Sequence, residues 1–463
     1  MVEYGWSFNA ANRMTQYVNS IDGTVDYTND NTGQLTGADY DYQTDESYVY
    51  DENGNRVTAN ADTYVTGDAN QLLSDGTYRY VYDEEGNRTI RYVDENSSGT
   101  LNSGDTDISS YTWDHRNRLS EVSHFDTCSD YVGEDPDQVV EYSYDYQNRL
   151  VCKVLDSDGD GDTDASTVFV NDGNQVALQF DKSGTGSAAA SDLSRRYLWG
   201  AAVDQILADE QVTDLETAGN VLWPLVDHLN TVRDLATYNS QSHETTIANH
   251  RIFDAFGKMT DETNSAVECL FGYTGRMFDK DTGLQNNLNR WYDAQVGRWA
   301  SEDPIGFWGG DVNLSRNVRN SPLLHIDPSG LARLDPFANL HDKDRLIVAA
   351  HHTHVSIWGK DQCDRWADAF ITAVRGKGNY TLEKAVWTFP IPGIDQVRDL
   401  ILWPFGVPAG EVRVRHVAVK VTFPNGEVVY FDNGWWGGSF FGQAINNKFT
   451  EPRNYLWWVR EGR

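Results

Sequence analysis

Tyr78-Arg79-Tyr80-Val81-Tyr82-Asp83-Glu84-Glu85-Gly86-Asn87-Arg88 is the stretch that decides the fold. Aromatic residues alternate with other side chains up to Asp83, the period of a strand with one buried face. Gly86-Asn87 then supplies hairpin-turn chemistry. The signature recurs as Tyr50-Asp51-Glu52-Asn53-Gly54-Asn55-Arg56, as Trp113-Asp114-His115-Arg116-Asn117-Arg118-Leu119 and as Tyr144-Asp145-Tyr146-Gln147-Asn148-Arg149-Leu150. The four aspartates lie 32, 31 and 31 residues apart, and a fixed period of this size marks a repeat architecture. The expectation is a long sheet of hairpins with Tyr rings on its inner face and Asp capping the turns.

Degenerate copies follow at Phe253-Asp254, Phe278-Asp279 and Tyr292-Asp293. The repeated motif resembles the RHS/YD-repeat family, whose repeats coil into a hollow β-shell, and the likeness covers roughly residues 20 to 331. It implies a mainly β fold: a YD-repeat β-hairpin shell, a spiral sheet, over residues 1–250; an RHS-associated core over 251–331; and a small α+β C-terminal domain over 332–463. Shells of this family are longer than this one. A partial shell, a truncated longer protein, or missing shell strands supplied by a partner is therefore expected.

Charge marks the same division. Of 37 Lys+Arg and 70 Asp+Glu, 16 and 14 fall from Leu331 onward, leaving 21 and 56 for the first 330 residues. The acidic part repels nucleic acid and anionic membranes, and the tail carries no strong electrostatic footprint for nucleic acid. A hydrophobic content of 39% argues against disorder despite the net charge of -33. No stretch approaches the ~18 apolar residues needed to span a bilayer. The first residues lack the basic and apolar regions of a signal peptide, so export from the cytoplasm to the cell surface or beyond is expected by another route. Cys128, Cys152, Cys269 and Cys363 show neither pairing nor metal spacing.

The segment from Arg290 to Leu331, with Glu302-Asp303-Pro304 and Asp327-Pro328-Ser329-Gly330-Leu331, resembles the RHS-associated core. Relatives there cut themselves after the terminal Asp-Pro-x-Gly-Leu, using two aspartates and an arginine. Carried over, these are Asp303, Asp327 and Arg290, with the scissile bond after Leu331. Two close carboxylates do not both ionise easily, so one holds a proton while the other activates water. A guanidinium can orient a carboxylate or stabilise an oxyanion. The same Asp-Pro steps also read as tight turns closing the shell. Asn313 to Asn320 departs from the aromatic residues usual in that stretch of the family.

Asp156, Asp158, Asp160, Asp162 and Asp164 alternate around glycines as in the front of a Ca²⁺ loop. Thr167 stands where an EF-hand needs a bidentate Glu, and no helical pattern flanks the run. It reads either as a possible Ca²⁺ site or as a solvated acidic hairpin loop; no cofactor is otherwise required.

In the tail, Cys363, His416 and Asp432 follow the order helix, strand, next strand. Asp361 would cap a helix whose first turn holds Cys363, where the amide dipoles favour thiolate. A three-residue loop at Pro424-Asn425-Gly426 would pair Phe423 with Glu427 and set Asp432 against Ala418, diagonal to His416. The domain looks like the papain-like superfamily, which includes NlpC/P60-type and transglutaminase-like enzymes. That likeness implies nucleophilic attack by Cys363, proton transfer by His416, orientation by Asp432 and an oxyanion donor at Gln362 or the helix-start amides. Cys363 also reads as a small buried residue on an apolar helix face.

His351, His352 and His354, with His341 and Asp342, could instead hold the metal of a nuclease. The resemblance as a whole implies a toxin-type delivery protein with a protein substrate, an immunity protein and secretion machinery as partners. A non-enzymatic cell-surface protein is the remaining class.

Overall fold

The structure is a computed structural model that describes residues 3–200 and 203–333, together with the backbone of four further strands. The chain divides into two compact units, Met1–Asn339 and Leu340–Arg463.

The first unit is built almost wholly from antiparallel strands, each paired with its sequence neighbours. A 7-stranded sheet runs from Tyr4–Phe8 to Asp62–Thr63, and a 16-stranded sheet from Val65–Thr66 to Met259–Glu262. A third sheet of 4 short strands spans Met277–Asp279 to Arg298–Trp299. The sheets do not close into a barrel. The strand Glu244–Phe253 runs through residue 250, so the large sheet continues past the boundary expected there.

Each Tyr-Asp copy makes the same turn. Asp83 N–H donates to Asn87 O at 3.0 Å and Gly86 N–H to Asp83 O at 3.2 Å. Asp83 Oδ1 accepts the Asn87 N–H at 2.8 Å and Oδ2 the Asn87 side-chain amide at 2.9 Å. Asp51 repeats this with Asn55, and Asp114 and Asp145 with Arg118 and Arg149, whose Nε replaces the amide. The fourth turn position is left-handed, with φ of +77° at Gly54, +76° at Gly86, +55° at Asn117 and +65° at Asn148. Only Gly and Asn adopt it cheaply, which explains Asp-x-x-Gly/Asn. Asp30-Gly33 and Asp227-Asn230 form the same turn without an aromatic in front of the Asp. They escape a search keyed on Tyr-Asp, whereas a search for Asp-x-x-Gly/Asn alone would find them.

The aromatic residues divide two tasks. Tyr48, Tyr80, Tyr111 and Tyr142, each three residues before the Asp, are buried, while Val49 and Val81 beside them face outward. The ring immediately before the Asp sits at a β-bulge and reaches back to the preceding hairpin. Trp113 Nε1 donates to Arg88 O at 2.7 Å, Tyr144 OH to Leu119 O at 2.7 Å and Tyr50 OH to Leu35 O at 2.8 Å. The repeat is thus braced hairpin to hairpin.

Residues 271–333 pack against the Tyr-lined face. The Trp291 and Tyr142 rings lie 4.6 Å apart, and Tyr142 OH donates to Asp279 Oδ2 at 2.7 Å. The guanidinium of Arg88 pairs with Asp293 at 2.7 Å, both side chains fully shielded. Asn313 donates to Asn55 Oδ1 at 2.8 Å, and Asn320 to Gly54 O at 2.7 Å. These hydrogen bonds tie the segment to the Asp51 hairpin turn.

In the second unit, Thr381–Pro390, Arg413–Thr422, Val428–Asp432 and Gln443–Asn446 form a 4-stranded antiparallel sheet. The helix expected around Cys363 lies outside the described residues.

Candidate functional site

Arg290, Asp303 and Asp327 converge, although the chain separates them by up to 37 residues. One guanidinium nitrogen, Arg290 Nη2, stands 3.2 Å from Asp303 Oδ2 and 3.3 Å from Asp327 Oδ2. Arg290 Nη1 donates to Leu314 O at 3.0 Å, Nε donates to Gly330 O, and the group lies 4.2 Å over the Trp299 ring. This leaves the guanidinium no other orientation.

Three donors converge on Asp327 Oδ1: the N–H groups of Leu331 and Ala332, each at 3.1 Å, and Ser329 Oγ at 3.2 Å. The Pro328-Ser329-Gly330 turn therefore folds the peptide between Leu331 and Ala332 back onto the carboxylate. Both residues are buried, Leu331 at 1% exposure. Asp303 comes from the Asp-Pro turn before Gly306–Gly309, where its Oδ1 accepts the Ile305 N–H at 3.0 Å. Burial pushes the Asp303 carboxyl up to about 7, with Asp327 adding to the rise and Arg290 opposing it. A cavity of about 30 Å³ lies among Arg290, Asp303, Asp327, Leu331 and Ala332, room for a water molecule. The site thus holds a carboxyl able to keep a proton at neutral pH, a second carboxylate bound to the Leu331–Ala332 peptide, and a cation between them.

The sequence pointed to Asp303, Asp327, Arg290 and Leu331 through the core motif. It did not single out Ser329, Leu314 or Trp299, which hold the first three in place. Ser329 sits inside the quoted motif; the other two carry no local signal.

Of the acidic run, Asp156, Asp158 and Asp164 bring carboxylate oxygens within 4.8 Å of one another; Asp160 and Asp162 are not in that group. Asp156 accepts the N–H groups of Gly159 and Gly161, each at 2.8 Å. Asp164 accepts from Ser157, and these bonds hold its carboxyl below the ordinary carboxylate pKa. The loop is therefore shaped by its own backbone donors.

In the second unit Val419 pairs with Phe431 and Thr422 with Val428, so His416 lies three positions before Val419 and Asp432 one position after Phe431. Cys363 and Gln362 lie outside the described residues, as do His341, Asp342, His351, His352 and His354.

Residues 204–319 match the family model described as Teneurin YD-shell. The chain is 36% identical over 94 residues to toxin subunit YenC1 of Yersinia entomophaga, covering 20% of this chain and 9% of that protein. It is 26% identical over 289 residues to the tRNA3(Ser)-specific nuclease WapA of Bacillus spizizenii, covering 61% of this chain and 11% of that protein. The crystal structure of TcdB2-TccC3 matches with a TM-score of 0.42 at 15% identity, over 71% of this chain and 19% of that chain. The chain spans only a small part of each of these proteins. No helix among the described residues is long and apolar enough to cross a membrane. The hairpin period, the bracing between hairpins and the family-model match over residues 204–319 make the chain similar to RHS/YD-repeat proteins.

Proposed function

We propose that this protein delivers a toxin-type effector, residues 332–463, and severs it from the YD-repeat shell by cutting the Leu331–Ala332 bond. The toxin role named for YenC1 supports the delivery half. One arrangement supports the cleavage half: Asp327 accepts the N–H groups of Leu331 and Ala332, and one Arg290 nitrogen joins it to Asp303, whose carboxyl burial pushes up to about 7.

In the cleavage step Asp327 takes a proton from water in the cavity, and the hydroxyl adds to the Leu331 carbonyl carbon. Asp303 protonates the carbonyl oxygen, and Arg290 stabilises the charge that develops. Collapse breaks the C–N bond as the Asp327 proton passes to the Ala332 nitrogen and the protonated oxygen returns its proton to Asp303, and the products are a Leu331 carboxyl group and an Ala332 amine.

Purified full-length protein followed on a denaturing gel tests this. A fragment beginning at Ala332 is expected from the wild type and not from Asp303→Asn. Wild-type chain that stays whole refutes the reading.

For the effector, Cys363, His416 and Asp432 suit a thiol hydrolase acting on an amide of a protein substrate, whether as protease, deamidase or acyl transferase, with Gln362 near the oxyanion. An immunity protein and an export apparatus are the partners this role requires. Cys363→Ala should abolish toxicity on expression in a sensitive cell. Toxicity that survives Cys363→Ala but not joint replacement of His351 and His352 would move the effector to metal-dependent nuclease chemistry.

A further inference from the structure

Gly309 lies at the end of the short helical turn Gly306–Gly309, between Asp303 and Asp311. A Cβ on Gly309 would stand 2.4 Å from Asp303 Oδ2 and 2.9 Å from Leu331 O. Both distances are shorter than real carbon contacts allow, and neither neighbour is free to withdraw. Asp303 is held by the Arg290 guanidinium and the Ile305 N–H. Leu331 is buried, with its N–H bound to Asp327.

Backbone conformation does not call for glycine at this position. The flanking Gly306 and Gly310 have φ of +57° and +80°, in the left-handed region, and Gly309 does not. What Gly309 supplies is space. The missing side chain is the gap across which the Asp303 carboxyl faces the carbonyl of the Leu331–Ala332 peptide.

The geometry points to Gly309 as a positioning residue for self-cleavage: its lack of a side chain lets the Asp303 carboxyl approach the Leu331 carbonyl oxygen. This rests on the autoproteolysis proposed above and adds a residue outside the two aspartates and the arginine. A methyl group at Gly309 must displace the carboxyl or the carbonyl, and a misplacement of about 1 Å costs about 100-fold in rate. The methyl also removes water from the carboxyl, which raises its proton affinity further.

The test uses full-length wild type, Gly309→Ala, Gly310→Ala and Asp303→Asn, with cleavage timed on gels from pH 5 to 9 and a thermal unfolding curve for each. Gly310→Ala is the control, because it strains a left-handed position but its Cβ meets only the flexible end of Arg319, at 3.5 Å. The expected result is cleavage about 100-fold slower in Gly309→Ala, with the alkaline decline of the residual rate moved to higher pH. Gly310→Ala should lose thermal stability yet cleave within a few-fold of wild type. Wild-type cleavage by Gly309→Ala overturns the inference. Equal slowing of both glycine variants with an unmoved alkaline decline also overturns it, since that is general loop damage. A wild-type chain that stays whole overturns the autoproteolysis reading, and this inference with it.

Discussion

Replacing Arg88 with Met tests whether the segment 271–333 is bound into the shell by charge. The two methylene stems have similar volume, so the change removes the guanidinium and leaves the Asp293 carboxylate buried. Arg88 and Asp293 side chains are 1% and 5% exposed and pair at 2.7 Å. Stranding one partner of a buried pair costs about 3–5 kcal/mol. Arg88 also lies 4.7 Å over the Tyr80 ring, worth about 1 kcal/mol more. At roughly 2–4 °C per kcal/mol, Arg88→Met should lower the unfolding midpoint of the shell by about 8–24 °C, read by calorimetry at fixed pH and salt. Asp293→Asn in the same chain removes the stranded charge, so the double variant should be more stable than the two single losses added together. A midpoint shift under about 2 °C, or strict additivity, would show that burial of Trp291 and its neighbours holds the segment without the ion pair.

Three further expectations follow from single contacts. Asp83→Ala removes both acceptors from Asn87 and should cost about 0.5–2 kcal/mol, with Asp83→Asn recovering part of it in the same urea titration. His250 bridges the two large sheets, held by Asp22 on one side and by Asp234 at 2.6 Å on the other, and these bonds raise its pKa from 6.5 to about 9 against the effect of burial. Its contribution is therefore complete below about 6.5 and lost as pH rises through about 9; thermal midpoints should fall between pH 7 and 10 in the wild type and stay flatter in His250→Gln. Asp303 must be protonated to act as the acid, and its carboxyl is raised to about 7, so cleavage should be steady just below pH 7 and decline above it; a rate rising through pH 8 would remove Asp303 from that role.

How far the sequence could be read depended on how local the deciding interaction was. The tail register was legible because Pro424-Asn425-Gly426 is short enough to set which residues oppose, and the strands pair accordingly. The core trio was legible through its motif. Its supports were not, because Leu314 contributes a backbone carbonyl and Trp299 only a ring face. Gly309 looked like any loop glycine, since its requirement is set by two residues, Asp303 and Leu331, that meet only after folding.

The hairpin repeat, its turns and the acidic character of the shell were determined by the sequence alone, because Asp-x-x-Gly/Asn closes its hydrogen bonds within five residues and strand alternation needs no distant partner. Tertiary structure alone decided the pairing of Arg88 with Asp293 across 205 residues and of His250 with Asp22 across 228. It also decided the convergence of Asp303 and Asp327 on one nitrogen of Arg290. Contacts of this kind depend on the curvature and stacking of many hairpins, a sum over the whole sheet that no short stretch of residues contains.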